Sequence, residues 1–138
     1  MVLEMKKELT VNADVKQLGT VMDFISAFLE ESGCDFRTEN HIALSVEELF
    51  VNIASYAYEN GGDVDIAAQL FQDSIFITVS DNGKPFNPLE QREPDIKASA
   101  EDRPIGGLGI FLAKKLMDSI AYEYRDGKNR LTLMKKYQ

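Results

Sequence analysis

The stretch 37–59 constrains the fold of this chain more than any other segment. Ile42, Val46, Leu49, Ile53 and Ala57 recur at three- and four-residue steps, which puts them on one stripe of a helix. Leu44, Val51 and Ala54 add apolar groups elsewhere around the cylinder, so the helix is expected to be largely buried. Such a helix needs an apolar layer to lie on, and the rest of the chain supplies strands for one. Residues 6–11 alternate as a strand, 64–71 and 74–80 flank a turn at Gln72-Asp73, and 119–125 and 130–136 flank Asp126-Gly127. A further helix is predicted over 15–31, with Asp14 as N-cap, Leu18, Val21, Met22, Ile25, Phe28 and Leu29 at helical spacing, and Ser32-Gly33 as its stop. The last helix is predicted over 108–118. The order is strand, two helices, two strands, a long loop, helix, two strands. This predicts an α+β protein: a two-layer α/β sandwich with a mixed, mostly antiparallel sheet and helices on one face.

Length and composition narrow the classes. A chain of 138 residues suits one domain, spanning 1–138, with a substantial core. No apolar run is long enough to cross a bilayer, and the charged N-terminus (Glu4, Lys6, Lys7, Glu8) lacks the apolar core of a signal peptide. A single cysteine, Cys34, excludes an internal disulfide and suits a reducing cytoplasm. With only one histidine, His41, it also argues against a structural zinc site. The formal charge is −8, with 15 basic residues against 23 acidic ones. Nucleic-acid binding depends on neutralising phosphates with Lys and Arg, so direct DNA or RNA contact is not expected. A protein partner or a small ligand is.

Four short signals carry chemistry. On the 37–59 helix, Ser45, Glu48, Asn52 and Tyr56 form a narrow polar strip, and Glu48 and Asn52 share a face because they are four residues apart. A solvated surface pair is the ordinary fate of such residues. On a buried helix, however, a carboxylate is costly unless something charged or hydrogen-bonding receives it, and a magnesium nucleotide is such a receiver. Asp81-Asn82-Gly83 ends the strand Ile75-Phe76-Ile77-Thr78-Val79. Asn-Gly there is a strong hairpin signal. Yet Lys84-Pro85-Phe86-Asn87-Pro88 cannot continue as a paired strand, because each proline removes a ladder donor. An aspartate at that strand end is well placed to accept from an exocyclic amine, with Gly83 letting the backbone approach a flat base. Gly106-Gly107-Leu108-Gly109 precedes a helix start at Ile110, where backbone N–H groups and the helix dipole can converge on an anion. It is neither a Walker motif nor a dinucleotide fingerprint. The proline-containing loop before it, roughly 85–104, is long enough to be a functional lid or disordered.

In combination these motifs resemble the Bergerat-type (GHKL) ATP-binding superfamily over essentially the whole chain. Glu48-x-x-x-Asn52 is similar to its N-box, Asp81-Asn82-Gly83-Lys84-Pro85-Phe86-Asn87-Pro88 to its G1 box, and Gly107-Leu108-Gly109 to its G2 box. The Pro-Phe-Asn-Pro tail most resembles the anti-sigma factor serine/threonine kinases of bacterial partner-switching systems. That resemblance implies ATP and Mg²⁺ as cofactors, with Asn52 as metal ligand and Glu48 as general base on the partner's hydroxyl. It implies nucleotide contacts from Asp81, Gly83, Phe86, Gly106, Gly107, Leu108 and Gly109, with Asp81 on the adenine amine and Thr132 supporting the adenine. It further implies a homodimer that phosphorylates a STAS-domain anti-anti-sigma partner and sequesters a sigma factor, in the cytoplasm and without a membrane. Ordering of a 90–105 lid would report nucleotide state. Tyr56 stands where many members carry histidine, and Arg103 is the nearest candidate for a lid arginine. Three other readings stay open: the catalytic domain of a histidine kinase, a nucleotide-sensing regulator without kinase activity, and a plain α/β binding domain.

Overall fold

The computed structural model describes residues 2–56, 62–90 and 107–137. Strand β1 (Leu3–Asn12) leads into a 3-10 turn (Val15–Gln17) and helix α1 (Leu18–Ser32). The Asp14 carboxylate accepts from the Lys16 amide at 2.9 Å, the capping role expected of it, but it caps the 3-10 turn. Gly33, at φ 72°, closes α1 in the left-handed conformation that glycine adopts without steric cost. Helix α2 (Phe36–Tyr56) follows, its first turn capped by Asp35. Asp35 Oδ1 accepts from the Thr38 hydroxyl and Oδ2 from the Thr38 amide. The hydroxyl bond is the main cause holding the Asp35 carboxyl below the usual carboxylate range. The expected continuation of α2 to residue 59 lies outside the described residues.

Strands β2 (Asp63–Phe71) and β3 (Ser74–Asp81) form a hairpin, helix α3 covers Gly107–Leu116, and β4 (Ser119–Arg125) and β5 (Lys128–Lys136) close the chain. Asp126 and Gly127 both have positive φ, 55° and 77°. Left-handed conformations at both turn positions match the twist of a two-residue hairpin. The turn is therefore only two residues long, and β5 begins at Lys128 instead of 130.

The sheet order is β1-β2-β3-β5-β4. Every pairing is antiparallel, so the mixed sheet expected from the sequence is replaced by a wholly antiparallel one among the described residues. The reason is topological: β3 and β4, joined through α3, run in the same direction, but β5 sits between them and pairs antiparallel with both.

One sheet face packs on the helices. Val64, Ile66, Ala68 and Leu70 of β2 and Ile75, Ile77 and Val79 of β3 are buried there, with Leu131 and Leu133 of β5. Val21, Ile25, Phe28 and Leu29 of α1 and Ile42, Val46, Leu49, Phe50 and Ile53 of α2 pack onto it. The apolar stripe on α2 thus lies as its period requires. Leu44 does not: it is 50% exposed, because the sheet takes only one side of α2 and the opposite side is left to solvent. No helix among the described residues is long and apolar enough to cross a membrane.

His41 is the only histidine, and its Nδ1 is buried with no partner among the described residues. Burial, with help from Lys135 and Arg37, pushes its pKa below the ordinary 6.5. A depressed value means the fold prefers the neutral ring. The stability this contributes is present above pH 6.5 and is lost as the pH falls through the folded value. An NMR titration of the single imidazole should give a midpoint below 6.5; a midpoint at or above that value would contradict the burial argument.

Candidate functional site

Within the polar strip of α2, Glu48 lies beside α3. Asn52 is 2% exposed, and neither its Oδ1 nor its Nδ2 has a hydrogen-bond partner among the described residues. Buried side-chain amides are almost always satisfied, because leaving one unpaired costs about 1–3 kcal/mol. An orphan of this kind points to a ligand that completes it. One helical turn earlier, the half-buried Glu48 lies against the first turn of α3. A Cβ placed on Gly109 would fall 2.0 Å from Glu48 Oε2, 2.6 Å from Cδ and 2.8 Å from Cγ. The missing side chain at Gly109 is therefore what lets the carboxylate reach the start of α3. Gly107 and Leu108 form the helix start itself, as expected for backbone N–H groups turned toward an anion. Gly106, Arg103 and the proposed 90–105 lid beyond Glu90 lie outside the described residues, as does the Tyr56 side chain.

Asp81 ends β3 on the helix-facing side of the sheet and is 4% exposed. Its Oδ1 accepts from the Gly83 amide at 2.8 Å and from Asn129 Nδ2 at 3.0 Å. Asp81, Asn129 and Tyr122 are the polar lining of a small pocket that opens to solvent. Ile53, Val79, Leu131, Phe86 and Pro88 make its apolar walls. Ile53 follows Asn52 in α2, so the pocket and the orphaned amide share one helix. An apolar slot with a carboxylate at one end has the chemistry of a purine site: flat walls for the ring and an acceptor for its amine.

The arrangement brings together Glu48, Asn52 and Gly109 at the α2–α3 junction, and Asp81, Gly83 and Phe86 beside the pocket. It does not bring Thr132 to either. Thr132 pairs with Thr78 and Ala121, while its neighbours Leu131 and Leu133 turn inward. The two-residue period of the strand puts its side chain on the opposite sheet face from Asp81.

The residue at the pocket that the sequence reading passed over is Asn129, directly opposite Asp81 in the β3–β5 register and 5% exposed. It was hidden because β5 was expected to start at 130. The available signal was an asparagine, a residue depleted in strands, in phase with the inward Leu131 and Leu133. Tyr122 lies within the expected strand 119–125, where nothing in the sequence marks it for the pocket; burial raises its hydroxyl pKa above the ordinary value, so it stays a donor at neutral pH.

The residues fit a magnesium nucleotide. No cluster of three or more His, Cys, Asp or Glu able to hold a metal occurs among the described residues. Mg²⁺ needs none where one side-chain oxygen and substrate phosphates complete its shell, and Asn52 has an oxygen without a partner among the described residues.

Comparison with known proteins agrees with this geometry. The profile of the histidine kinase-like ATPase domain matches residues 11–135. A serine-protein kinase RsbW from Halalkalibacterium halodurans is 30% identical over 124 residues, covering 87% of this chain and 76% of that protein. A serine/threonine-protein kinase BtrW from Bordetella bronchiseptica is 32% identical over 94 residues, 67% of this chain and 66% of that protein. Among solved structures, the RsbU and RsbW domains of a Mycobacterium tuberculosis protein superpose with a TM-score of 0.71 at 18% identity. That match covers 97% of this chain and 33% of the other.

Proposed function

This chain belongs to the histidine kinase-like ATPase domain family, and from that premise we propose that it is an ATP-dependent serine/threonine protein kinase acting as an anti-sigma factor. The observation that carries the reading is Asn52: a fully buried amide with both polar atoms unpartnered among the described residues, one turn from a carboxylate that rests on a helix N-terminus.

In this reading the purine enters the Asp81 pocket and the amide groups at the start of α3 hold the terminal phosphates. Asn52 is the ligand for Mg²⁺, which when bound neutralises charge on the phosphates being separated. Glu48 accepts the proton of a serine or threonine hydroxyl on the partner. The hydroxyl oxygen bonds to the γ-phosphorus as the bond to the β–γ bridging oxygen breaks, leaving ADP and a phosphorylated partner. The partner is a STAS-domain anti-anti-sigma protein, and the unphosphorylated partner competes with a sigma factor for this chain. We assign the chain to one domain, 1–138, acting in the cytoplasm as a homodimer. The charge of −8 leaves no role for direct nucleic-acid contact.

The test is thermal unfolding with millimolar Mg-ATP, then incubation of the chain and Mg-ATP with a STAS-domain protein from the same organism. Mass spectrometry then locates any added phosphate. A magnesium-dependent rise in Tm followed by phosphoserine or phosphothreonine on the STAS protein is expected. No rise would overturn nucleotide binding. A rise without phosphate transfer would favour a regulator that senses nucleotide only.

A further inference from the structure

Asn129 sits where two pieces of the pocket meet, and its contacts determine which way its amide faces. Its oxygen accepts from the Phe86 amide at 3.0 Å and from the Tyr122 hydroxyl. Its nitrogen donates to the Lys84 carbonyl at 2.8 Å and to Asp81 Oδ1 at 3.0 Å, with the Gly83 carbonyl farther off at 3.4 Å. A backbone N–H can only donate and a backbone C=O can only accept. Phe86 and Lys84 therefore admit a single orientation, with the N–H turned to Asp81.

That orientation has a chemical consequence. Asp81 Oδ1 already receives two donors, the Gly83 amide and Asn129. Oδ2 receives none among the described residues, and Asp81 lines the pocket. The free face of the carboxylate is thus an acceptor that cannot swing away, because Oδ1 is pinned on two sides. The same side chain bonds the Lys84 carbonyl and the Phe86 amide, and Phe86 lines the pocket, so the carboxylate and Phe86 are positioned together. The space in the pocket is only about 20 Å³, so a purine enters only if the pocket widens.

We propose that Asn129 is the residue that sets the base selectivity of this site, by holding Asp81 as an obligatory acceptor for the amine at purine C6 and excluding purines with a carbonyl there. It is a positioning residue, acting through Asp81. The inference rests on the nucleotide-binding reading given above. Asparagine is suited to the task because it carries a donor and an acceptor on one rigid plane. Aspartate has the same shape but no donor. In its place it would set two carboxylates against each other at about the same separation, and such a pair retains a proton between them. The pocket would then present a donor as readily as an acceptor.

The experiment compares Kd for Mg-ATP and Mg-ITP, which differ at purine C6, in the parent chain and in N129D and N129G. The parent should prefer ATP by at least about 10²-fold, as sites built around a hydrogen bond do when the analogue leaves a buried polar group unpaired. N129D should narrow the ratio to within about threefold. N129G, which releases Oδ1 without adding charge and keeps the test open if N129D does not fold, should narrow it by at least about tenfold. Equal weakening of both nucleotides in N129D and N129G, with the parent ratio intact, would reduce Asn129 to a structural role and overturn the proposal. A parent chain that binds neither nucleotide would instead sink the nucleotide-binding reading, and with it the proposal.

Discussion

A Glu48→Gln variant is expected to bind Mg-ATP as the parent does and to transfer phosphate about 10²–10⁴-fold more slowly. Glutamine keeps the shape of the side chain but cannot take up the hydroxyl proton. Glutamine fills the same half-buried space and loses only the carboxylate's attraction to the start of α3, about 0.3–1 kcal/mol, so the fold should survive the substitution. A Gly109→Ala variant should give the same split by a different route. Its methyl would overlap Oε2, Cδ and Cγ of Glu48, so the carboxylate must move aside. A displacement of about 1 Å at a catalytic group costs about 10²-fold in rate. Alanine meanwhile favours the helix by up to about 1 kcal/mol over glycine. Single-turnover transfer from labelled ATP, beside thermal unfolding, separates the two effects. Parent-like transfer in Glu48→Gln would remove Glu48 from the role of base.

The second large effect is expected at the other end of the site. Asp81→Asn should weaken Mg-ATP binding about 10–100-fold, since a hydrogen bond to a charged acceptor contributes about 1.5–3 kcal/mol. The fold should survive, because the asparagine oxygen can still accept from the Gly83 amide and Asn129. A ligand at about a hundred times its Kd stabilises by about 2.7 kcal/mol, and a hundredfold weaker one at the same concentration by about 0.4 kcal/mol. Most of the ATP-induced rise in Tm should therefore vanish. A rise equal to the parent's would show that the purine is not held by Asp81.

The two variants probe opposite ends of one ligand and should be nearly independent. Glu48 and Asp81 sit on different elements, share no partner and act on different atoms of the nucleotide, so a double variant should show roughly additive losses. A strong departure from additivity would indicate that base recognition and proton removal are coupled through α2, which supplies Ile53 to the pocket and Glu48 to the transfer site.

The strip from Glu48 to Asn52 was legible because helical period alone puts two side chains four apart on one face. The apolar positions flanking it leave α2 one way to lie on a sheet. Asp81-Asn82-Gly83 was legible because prolines at 85 and 88 rule out an ordinary hairpin. Thr132 and Asn129 show where local reasoning stops. Both lie on β5, and which faces the pocket depends on register, which one residue of turn length reverses. Leu44 fails for a related reason: composition shows how apolar a helix is, but only its neighbours decide which sides they cover.

What the sequence by itself determined is therefore the order of elements, the identity of the acid and amide on α2, and the carboxylate and glycine motifs that define the family. These are local matters, governed by period, turn chemistry and residue type. The tertiary structure decided that Asn52 is left without a partner among the described residues, that Gly109 makes room for Glu48, and that Asn129 meets Asp81 across β3 and β5. Each is a contact between residues distant in the chain, set by strand register and the close approach of two helices, quantities that no window of sequence contains.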